Sequence, residues 1–209
     1  MGQLNYPVKL EQTLRNFGIK NFVESGTGYG CSMDKVIMAE VVDNAYGIEL
    51  DKELYAKLKE AYEDIDYMHL YNGYSKDEMA KVIDDLDDKP TLFWLDAHFP
   101  GADFGTAGYG DEKDEDIRIP MEAELRVMKE KRDLSKDLIF MDDLRIYVDR
   151  NYVAGSWDQR RTCGGDGYDF VEELIGDTHL LVEHHADQGY LLAFPIDVDQ
   201  EKIMEIIKQ

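Results

Sequence analysis

Cysteine and positive charge are scarce in this sequence. Its 209 residues include two cysteines, Cys31 and Cys163, with no C-x-x-C pair. Neither a zinc knuckle nor a disulfide framework is therefore indicated, and a reducing compartment is expected. Lys and Arg number 23 against 45 Asp and Glu, which gives a net charge of -22. Because binders of nucleic acid or anionic lipid usually present a basic surface, the charge disfavours both roles.

Long hydrophobic runs are also missing. No apolar run approaches the roughly 18 residues that a membrane-spanning helix needs. The first residues have neither the basic start nor the apolar core of a secretion signal. We therefore expect a soluble, cytoplasmic protein. A length of 209 residues suits a single domain over 1–209, and the sequence does not indicate an oligomeric state.

Short apolar runs alternate with helical patterns up to about residue 145, which is typical of parallel strands joined by crossover helices. Two further runs, at 179–183 and 190–194, flank Asp187-Gln188-Gly189 and predict an antiparallel hairpin, followed by a C-terminal helix. The predicted fold class is α/β. We expect a doubly wound, Rossmann-like sheet of mainly parallel strands that ends in an antiparallel hairpin.

Several local features are predicted from turn and capping chemistry. Asp51 is expected to cap the second crossover helix. Ser75 is expected to be the N-cap of the next one, with Glu78 at the capping-box position. Two stretches, near 97–119 and 145–167, contain no convincing element. They predict loops inserted into the domain, and long loops of this kind often bind ligands.

A glycine-rich segment, Gly26-Thr27-Gly28-Tyr29-Gly30, lies between the first predicted strand and its helix. Glycine lets the backbone turn sharply and approach a ligand. The third glycine comes one position too early for the dinucleotide fingerprint, and the Gly-Lys-Ser/Thr of an NTPase loop is missing. Glu24, just before the loop, would repel a pyrophosphate but suit the cationic amino group of a methionine moiety. The pattern therefore favours S-adenosylmethionine over NAD.

A second acidic side chain supports a nucleoside site. Glu49 closes the second strand, 25 residues after Glu24, where a carboxylate can accept hydrogen bonds from both ribose hydroxyls. Tyr74 and Ser75 follow the third strand, where an adenine would lie, although ordinary turn chemistry also explains them. The predicted cofactor-binding residues are Glu24, Gly26, Thr27, Gly28, Gly30, Ser32, Glu49, Tyr74, Ser75 and Asp96.

These features carry a family resemblance. Residues 23–30, the strand end at 47–49 and the closing hairpin resemble the class I S-adenosylmethionine-dependent methyltransferases across about residues 18–195. The resemblance implies that the cofactor is S-adenosylmethionine and that the chain transfers a methyl group.

Three carboxylates follow two strands that we expect to be neighbours. Asp96 ends the fourth strand, and Asp142 and Asp143 end the fifth. Three carboxylates brought together repel one another unless a cation or protons intervene, and oxygen ligands suit a hard divalent cation. The arrangement resembles that of metal-dependent O-methyltransferases, which implies Mg²⁺ bound to the acceptor hydroxyl. Helix capping, or pairing with Arg145, is the alternative.

His98 and Asp96 are the predicted catalytic residues. His98 is placed to accept the proton of the acceptor or to join the metal shell. A group of arginines near the same edge predicts a small-molecule acceptor that could be anionic, such as a phosphorylated or nucleotide-linked sugar. These arginines are Arg145, Arg150, Arg160 and Arg161. Trp157 and Tyr152 could stack on a ring of the acceptor or cover the core.

The predicted function is S-adenosylmethionine-dependent, cation-assisted O-methylation of a small acceptor, which could be sugar-like. Two alternatives remain open. One is a metal-dependent hydrolase or transferase on the same fold, and the other is an acidic regulatory protein that binds S-adenosylmethionine without turnover.

Overall fold

The computed structural model describes residues 4–102, 105, 107–155 and 167–208. The strands are β1 (Asn21–Ser25), β2 (Asn44–Glu49), β3 (Met68–Asn72), β4 (Thr91–Leu95), β5 (Leu138–Met141), β6 (His179–His184) and β7 (Tyr190–Pro195). The α-helices are α1 (Leu10–Asn16), α2 (Cys31–Met38), α3 (Lys52–Ala61), α4 (Ser75–Asp85), α5 (Glu115–Arg118), α6 (Met121–Lys131), α7 (Asp169–Ile175) and α8 (Gln200–Ile206).

The seven strands form one sheet in the order β3-β2-β1-β4-β5-β7-β6. The first five strands are parallel, and β1 lies between β2 and β4, with Val23 opposite Tyr46 on one side and Phe93 on the other. The hairpin strand β7 is antiparallel to both β5 and β6. The predicted fold class is confirmed. Because the parallel strands point the same way, the residues that follow them meet at one edge of the sheet.

The sheet separates two hydrophobic layers. Leu92 and Trp94 of β4 pack into one layer, and Phe93 and Leu95 pack into the other. This alternation follows from the two-residue repeat of a strand whose two faces are both covered. Trp94 is completely buried, and its ring lies 6.0 Å from that of Tyr190.

Capping predictions gave mixed results. The Asp51 side chain accepts hydrogen bonds from the backbone N–H groups of Glu53 and Leu54, so its role as the cap of α3 is confirmed. The prediction for Ser75 is wrong, because Tyr74 occupies the N-cap position of α4 and makes no side-chain cap bond. Ser75 is the first helical residue, and its hydroxyl interacts with Glu124 of α6.

Two short helices were not predicted. The helix α1 spans 7 residues and α5 spans 4, so each offers too few turns for a clear apolar repeat. The helix α5 lies within the segment near 97–119 that was expected to be irregular. The backbone N–H of Phe99 donates to the carbonyl of Arg118 at 2.7 Å, so the two ends of that segment are adjacent.

A buried polar network lies at the opposite edge of the sheet, before β4 and β5. Asp137 accepts two hydrogen bonds from Arg132, 2.7 Å from Nε and 3.2 Å from Nη2, and one from the Thr91 backbone at 2.9 Å. Asp137 is completely buried. The network joins the start of β4 to α6. Among the described helices, none is long and apolar enough to cross a membrane.

Candidate functional site

A cavity of about 460 Å³ opens at the carboxyl edge of the parallel strands. Four parts of the chain line it: the glycine loop after β1, the turn after β2, the turn after β3, and the segment after β4. The lining residues are Gly26, Gly28, Ile48, Glu49, Leu50, Asp51, Lys52, Glu53, Gly73, Tyr74, Ser75, Asp96, Ala97, His98, Phe99, Pro100, Gly101, Asp116, Ile117 and Pro120. The volume suits a small-molecule ligand.

The glycine loop requires glycine for two physical reasons. Gly26 has a φ of +75°, and a Cβ there would lie 2.7 Å from the carbonyl oxygen of Asp96. At Gly30, which has a φ of +78°, the Tyr62 hydroxyl occupies the space of a Cβ. That hydroxyl donates to the carbonyl of Gly30 at 3.3 Å. The loop can thus lie close to β4 and α3 because Gly26 and Gly30 have no side chain.

Glu49 links the end of β2 to the glycine loop. Its Oε2 accepts a hydrogen bond from the Gly28 N–H at 2.7 Å, and its Oε1 accepts one from the Asp51 N–H at 2.7 Å. Burial raises the pKa of this carboxyl, and the two N–H groups oppose that rise. Because a carboxylate oxygen has two lone pairs, each oxygen can accept a further bond from a ligand in the cavity.

Glu24 lies behind the cavity wall and is 2% exposed. Burial raises its pKa well above the usual range, and a hydrogen bond from Ser32 opposes the rise. None of the described residues forms a hydrogen bond with its buried Oε2. A buried carboxylate oxygen in this state is poorly stabilised until a donor or cation reaches it.

The structure distributes the predicted cofactor residues over two layers. Those that line the cavity are Gly26, Gly28, Glu49, Tyr74, Ser75 and Asp96. The other four, Glu24, Thr27, Gly30 and Ser32, lie behind them. Thr27 donates to the Ile48 carbonyl at 3.3 Å, so the second layer fastens the glycine loop to β2.

The acidic residues after β4 and β5 meet as expected, together with His98. His98 Nε2 lies 2.9 Å from Asp143 Oδ2, and His98 Nδ1 lies 3.0 Å from the backbone oxygen of Asp96. Burial and the Asp142 carboxylate raise the pKa of Asp96 well above its usual range. Burial and the Asp143 carboxylate raise the pKa of Asp142 to about 6.

Asp143 is held by side chains of the protein itself. Its backbone φ is +55°, a strained conformation for a residue other than glycine. One oxygen faces His98, and the other accepts from Arg145 Nε at 3.0 Å. Arg145 also donates to the Gln188 side chain at 2.6 Å. His98, Asp143 and Arg145 thus form one connected group.

The metal role of the three aspartates is not confirmed. Among the described residues, no three His, Cys, Asp or Glu side chains are arranged to hold a metal ion. Both oxygens of Asp143 already have partners, His98 and Arg145. The Asp142 carboxyl interacts with that of Asp96. The cation site therefore stays a prediction.

The arginines near this edge are engaged where the structure describes them. Arg145 pairs with Asp143, and Arg150 pairs with Glu183 at 3.0 Å. Arg160, Arg161 and Trp157 lie outside the described residues. Tyr152 is buried against the core, and its hydroxyl donates to the carbonyl of Val148 at 3.0 Å. Of its two expected roles, Tyr152 therefore has the one in the core.

One buried carboxylate at the site was missed by sequence reasoning. Glu124 belongs to α6 and is 1% exposed. It follows the buried Met121 by three residues and precedes the buried Met128 by four. An acidic residue on the apolar stripe of a helix is a signal that could have identified it.

Solved structures of other proteins share this fold. No protein-family model matches the sequence, and no curated protein does. A Staphylococcus aureus protein provisionally named a caffeoyl-CoA O-methyltransferase superimposes with a TM-score of 0.59 at 16% identity, over 89% of this chain and 80% of that chain. This chain has the class I methyltransferase fold.

Two further structures agree. An O-methyltransferase from Bacillus cereus in complex with SAH gives a TM-score of 0.56 at 13% identity, over 89% of this chain and 78% of that chain. A protein from Thermobifida fusca, provisionally named a methyltransferase, gives 0.58 at 10% identity, over 90% of this chain and 77% of that chain. At these sequence identities the structural similarity establishes the fold only. The activity has to be argued from the residues of the site.

Proposed function

We propose that this chain is an enzyme that binds S-adenosylmethionine in the cavity and transfers its methyl group to an oxygen of a small acceptor. The observation that carries the proposal is the position of the Glu49 carboxylate. This carboxylate faces the cavity from the end of β2 while holding the Gly28 N–H. The fold supports the same assignment, because its structural neighbours include O-methyltransferases.

The residues around the cavity fit the chemical groups of this cofactor. Glu49 has lone pairs for the ribose hydroxyls. Glu24 lies behind the lining residues, so its carboxyl would act on a cationic amino group through its charge and not by direct contact. Tyr74 and Ser75 line the part of the cavity after β3, where an adenine would contact them. When bound, the cofactor supplies an activated methyl group on a positively charged sulfur.

His98 is the group that we propose to receive the acceptor's proton. It lines the cavity, and Asp143 stabilises the charge that its ring gains. In the structure Nδ1 faces the Asp96 backbone oxygen, which can only accept a hydrogen bond. Nδ1 can therefore take a proton only after it leaves that oxygen, and we propose that it then turns to the acceptor hydroxyl while Nε2–H donates to Asp143. Asp96, the second predicted catalytic residue, would orient the ring from the same cavity wall.

Assistance by a divalent cation, with Mg²⁺ as the expected ion, is a prediction at Asp96, Asp142 and Asp143. The Asp142 carboxyl is a neighbour of that of Asp96, but a cation at Asp143 would have to displace His98 or Arg145. Melting curves test it, because a ligand at 100 times its dissociation constant adds about 2.7 kcal/mol of stability. A shift with Mg²⁺ that Asp142→Asn removes would support the site, and no shift at millimolar Mg²⁺ or Mn²⁺ would count against it.

The acceptor is proposed to be a small molecule, with sugar-like and anionic compounds as the first to test. Arg145 and Arg150 are already paired with Asp143 and Glu183. An anionic group would therefore have to compete with these carboxylates, so neutral hydroxyl compounds belong in the same panel. Matched pairs of phosphorylated and unphosphorylated sugars would separate the two classes.

Calorimetric titration with S-adenosylhomocysteine (SAH), the demethylated product, is the first test of the function. We expect micromolar-range binding, on the order of -7 to -8 kcal/mol. Transfer of labelled methyl to the acceptor panel is the second test. Failure to bind SAH would favour the hydrolase alternative, and tight binding without turnover of any acceptor would favour the regulatory one.

A further inference from the structure

Glu124 is a buried carboxylate that the proposed chemistry does not use. It lies on α6, among the apolar side chains that pack this helix against α4 and the sheet. Its Oε1 is buried and has no hydrogen-bond partner in the part of the chain that the structure describes. A leucine or methionine would fill this position without the cost of burying a polar group. A role in packing alone therefore does not account for Glu124.

The carboxylate touches two of the segments that build the cavity. Ser25, the last residue of β1, donates to Glu124 Oε2 at 3.3 Å. The hydroxyl of Ser75, the first residue of α4, interacts with the same carboxyl. Gly26, next to Ser25, lines the cavity, as Ser75 itself does. One side chain thus connects the glycine loop to the turn after β3.

The backbone of α6 connects Glu124 to a third segment. Its N–H donates to the carbonyl of Pro120 at 2.9 Å, and Pro120 lines the cavity beside Ile117. Glu124 therefore stands where the walls contributed by β1, α4 and the segment before α6 come together.

We propose that Glu124 is a positioning residue, which holds Ser25 and Ser75 in the arrangement that binds the cofactor. The inference rests on the proposed function, because it concerns the same cavity. Glu124 does not line the cavity, so it acts through the two serines. The Ser25 hydrogen bond and the Ser75 interaction together would set the distance between the glycine loop and the first turn of α4.

The surroundings of Glu124 explain why the carboxyl can serve two hydroxyl groups. Burial raises its pKa to about 7, and the hydrogen bonds from Ser75 and Ser25 and the nearby His98 oppose the rise. Burial and the Glu124 charge raise the pKa of the Tyr147 hydroxyl. Near neutral pH the carboxyl is present in both protonation states, and in each it can hydrogen-bond a serine.

The test compares SAH affinity in three variants at a single pH near 6. Glu124→Gln has the shape and hydrogen-bonding capacity of the protonated carboxyl, and we expect its dissociation constant to stay within about threefold of wild type. Glu124→Leu keeps the packing but loses both hydrogen bonds, and we expect it to bind about tenfold more weakly. Glu122→Leu is the matched control, because Glu122 is solvent-exposed on the same helix; its affinity should be unchanged.

The outcomes separate the inference from the proposed function. Wild-type protein that does not bind SAH overturns the proposed function and this role with it. Wild-type binding that Glu124→Leu leaves unchanged overturns the role alone. Equal weakening by Gln and Leu also overturns it, because a side chain of the same shape and hydrogen-bonding capacity would then fail to preserve binding.

A second variant covers the case in which Glu124→Leu does not fold. Ser25→Ala removes one hydrogen bond to Glu124 and leaves α6 intact. We expect SAH binding to weaken about threefold while the melting temperature changes little. Unchanged affinity in Ser25→Ala would overturn the positioning role.

Discussion

The two edges of the sheet bury carboxylates in opposite ways. At the edge before β4 and β5, Asp137 is completely buried and receives hydrogen bonds from Arg132 and from the Thr91 backbone. At the edge after these strands, Glu24 and Glu124 each have a buried oxygen with no hydrogen-bond partner among the described residues. The buried carboxyl oxygens thus have partners at the first edge, which we call the satisfied edge, and lack some of them at the second.

The difference indicates which edge serves stability and which serves binding. A buried charge with internal partners stabilises the folded state only while all partners remain. A buried polar oxygen without a partner costs free energy, which a ligand can recover on binding. The edge with the unsatisfied carboxylates is also the one that carries the cavity.

The largest expected effect is at the satisfied edge. Asp137→Ala would leave the Arg132 guanidinium, whose side chain is 7% exposed, without its carboxylate. We expect the free energy of unfolding to fall by about 3–5 kcal/mol, as measured by urea denaturation. SAH affinity at a temperature where the variant stays folded should match wild type. A loss below about 1 kcal/mol would contradict the assignment of this edge to stability.

The next largest effect concerns cofactor affinity. Glu49→Ala removes the acceptor of the Gly28 N–H and the proposed acceptor of the ribose hydroxyls. We expect SAH binding to weaken by about 1.5–3 kcal/mol in calorimetry. Glu53→Ala is the control, because Glu53 also lines the cavity but is exposed to solvent. Equal affinities of wild type and Glu49→Ala would remove Glu49 from the binding site.

A smaller effect should appear in the pH dependence of stability. The pKa of Glu124 is about 7 in the folded protein, above its usual 4.5. Its contribution to stability is therefore present at low pH and is lost as the pH rises through about 7. Glu124→Gln has no such loss. Relative to wild type, the variant should gain about 2–3 kcal/mol between pH 5 and 8, and a pH-independent difference would show that Glu124 does not titrate as described.

The smallest effect is expected for an exposed ion pair at the satisfied edge, which can be compared with the buried pair of Asp137 and Arg132. Lys136 forms an ion pair with Asp88, whose side chain is 90% exposed. We expect Lys136→Ala to change the free energy of unfolding by less than about 0.5 kcal/mol, measured beside Asp137→Ala. A loss as large as that of Asp137→Ala would mean that this edge does not depend on its buried pair.

The parallel strands and their edge could be predicted from sequence because the signals are local. The apolar runs of β4 and β5 are buried throughout, and parallel strands bring the residues that follow them to one edge. That reasoning placed Asp96, Asp142 and Asp143 near one another. Pairing with Arg145 was the alternative that the sequence offered, and Asp143 has it. The contact of the other Asp143 oxygen with His98 was not foreseen, because side-chain pairing depends on loop geometry.

Glu124 could not be assigned to the site for a similar reason. Its partner Ser25 is 99 residues away in sequence, and their contact depends on how α6 packs against the sheet. The same contact explains the wrong prediction for Ser75. A serine before a helical pattern usually caps the helix, but here a buried carboxylate from another helix interacts with its hydroxyl.

Trp94 gives the protein an internal optical reporter. Its indole is completely buried, and its ring N–H has no hydrogen-bond partner among the described residues. The sequence contains one other tryptophan, Trp157. A Trp157→Phe variant would make Trp94 the sole source of tryptophan fluorescence. Because Trp94 lies two residues before Asp96, its blue-shifted emission would follow both the loss of the core and changes in the cavity wall without an added dye.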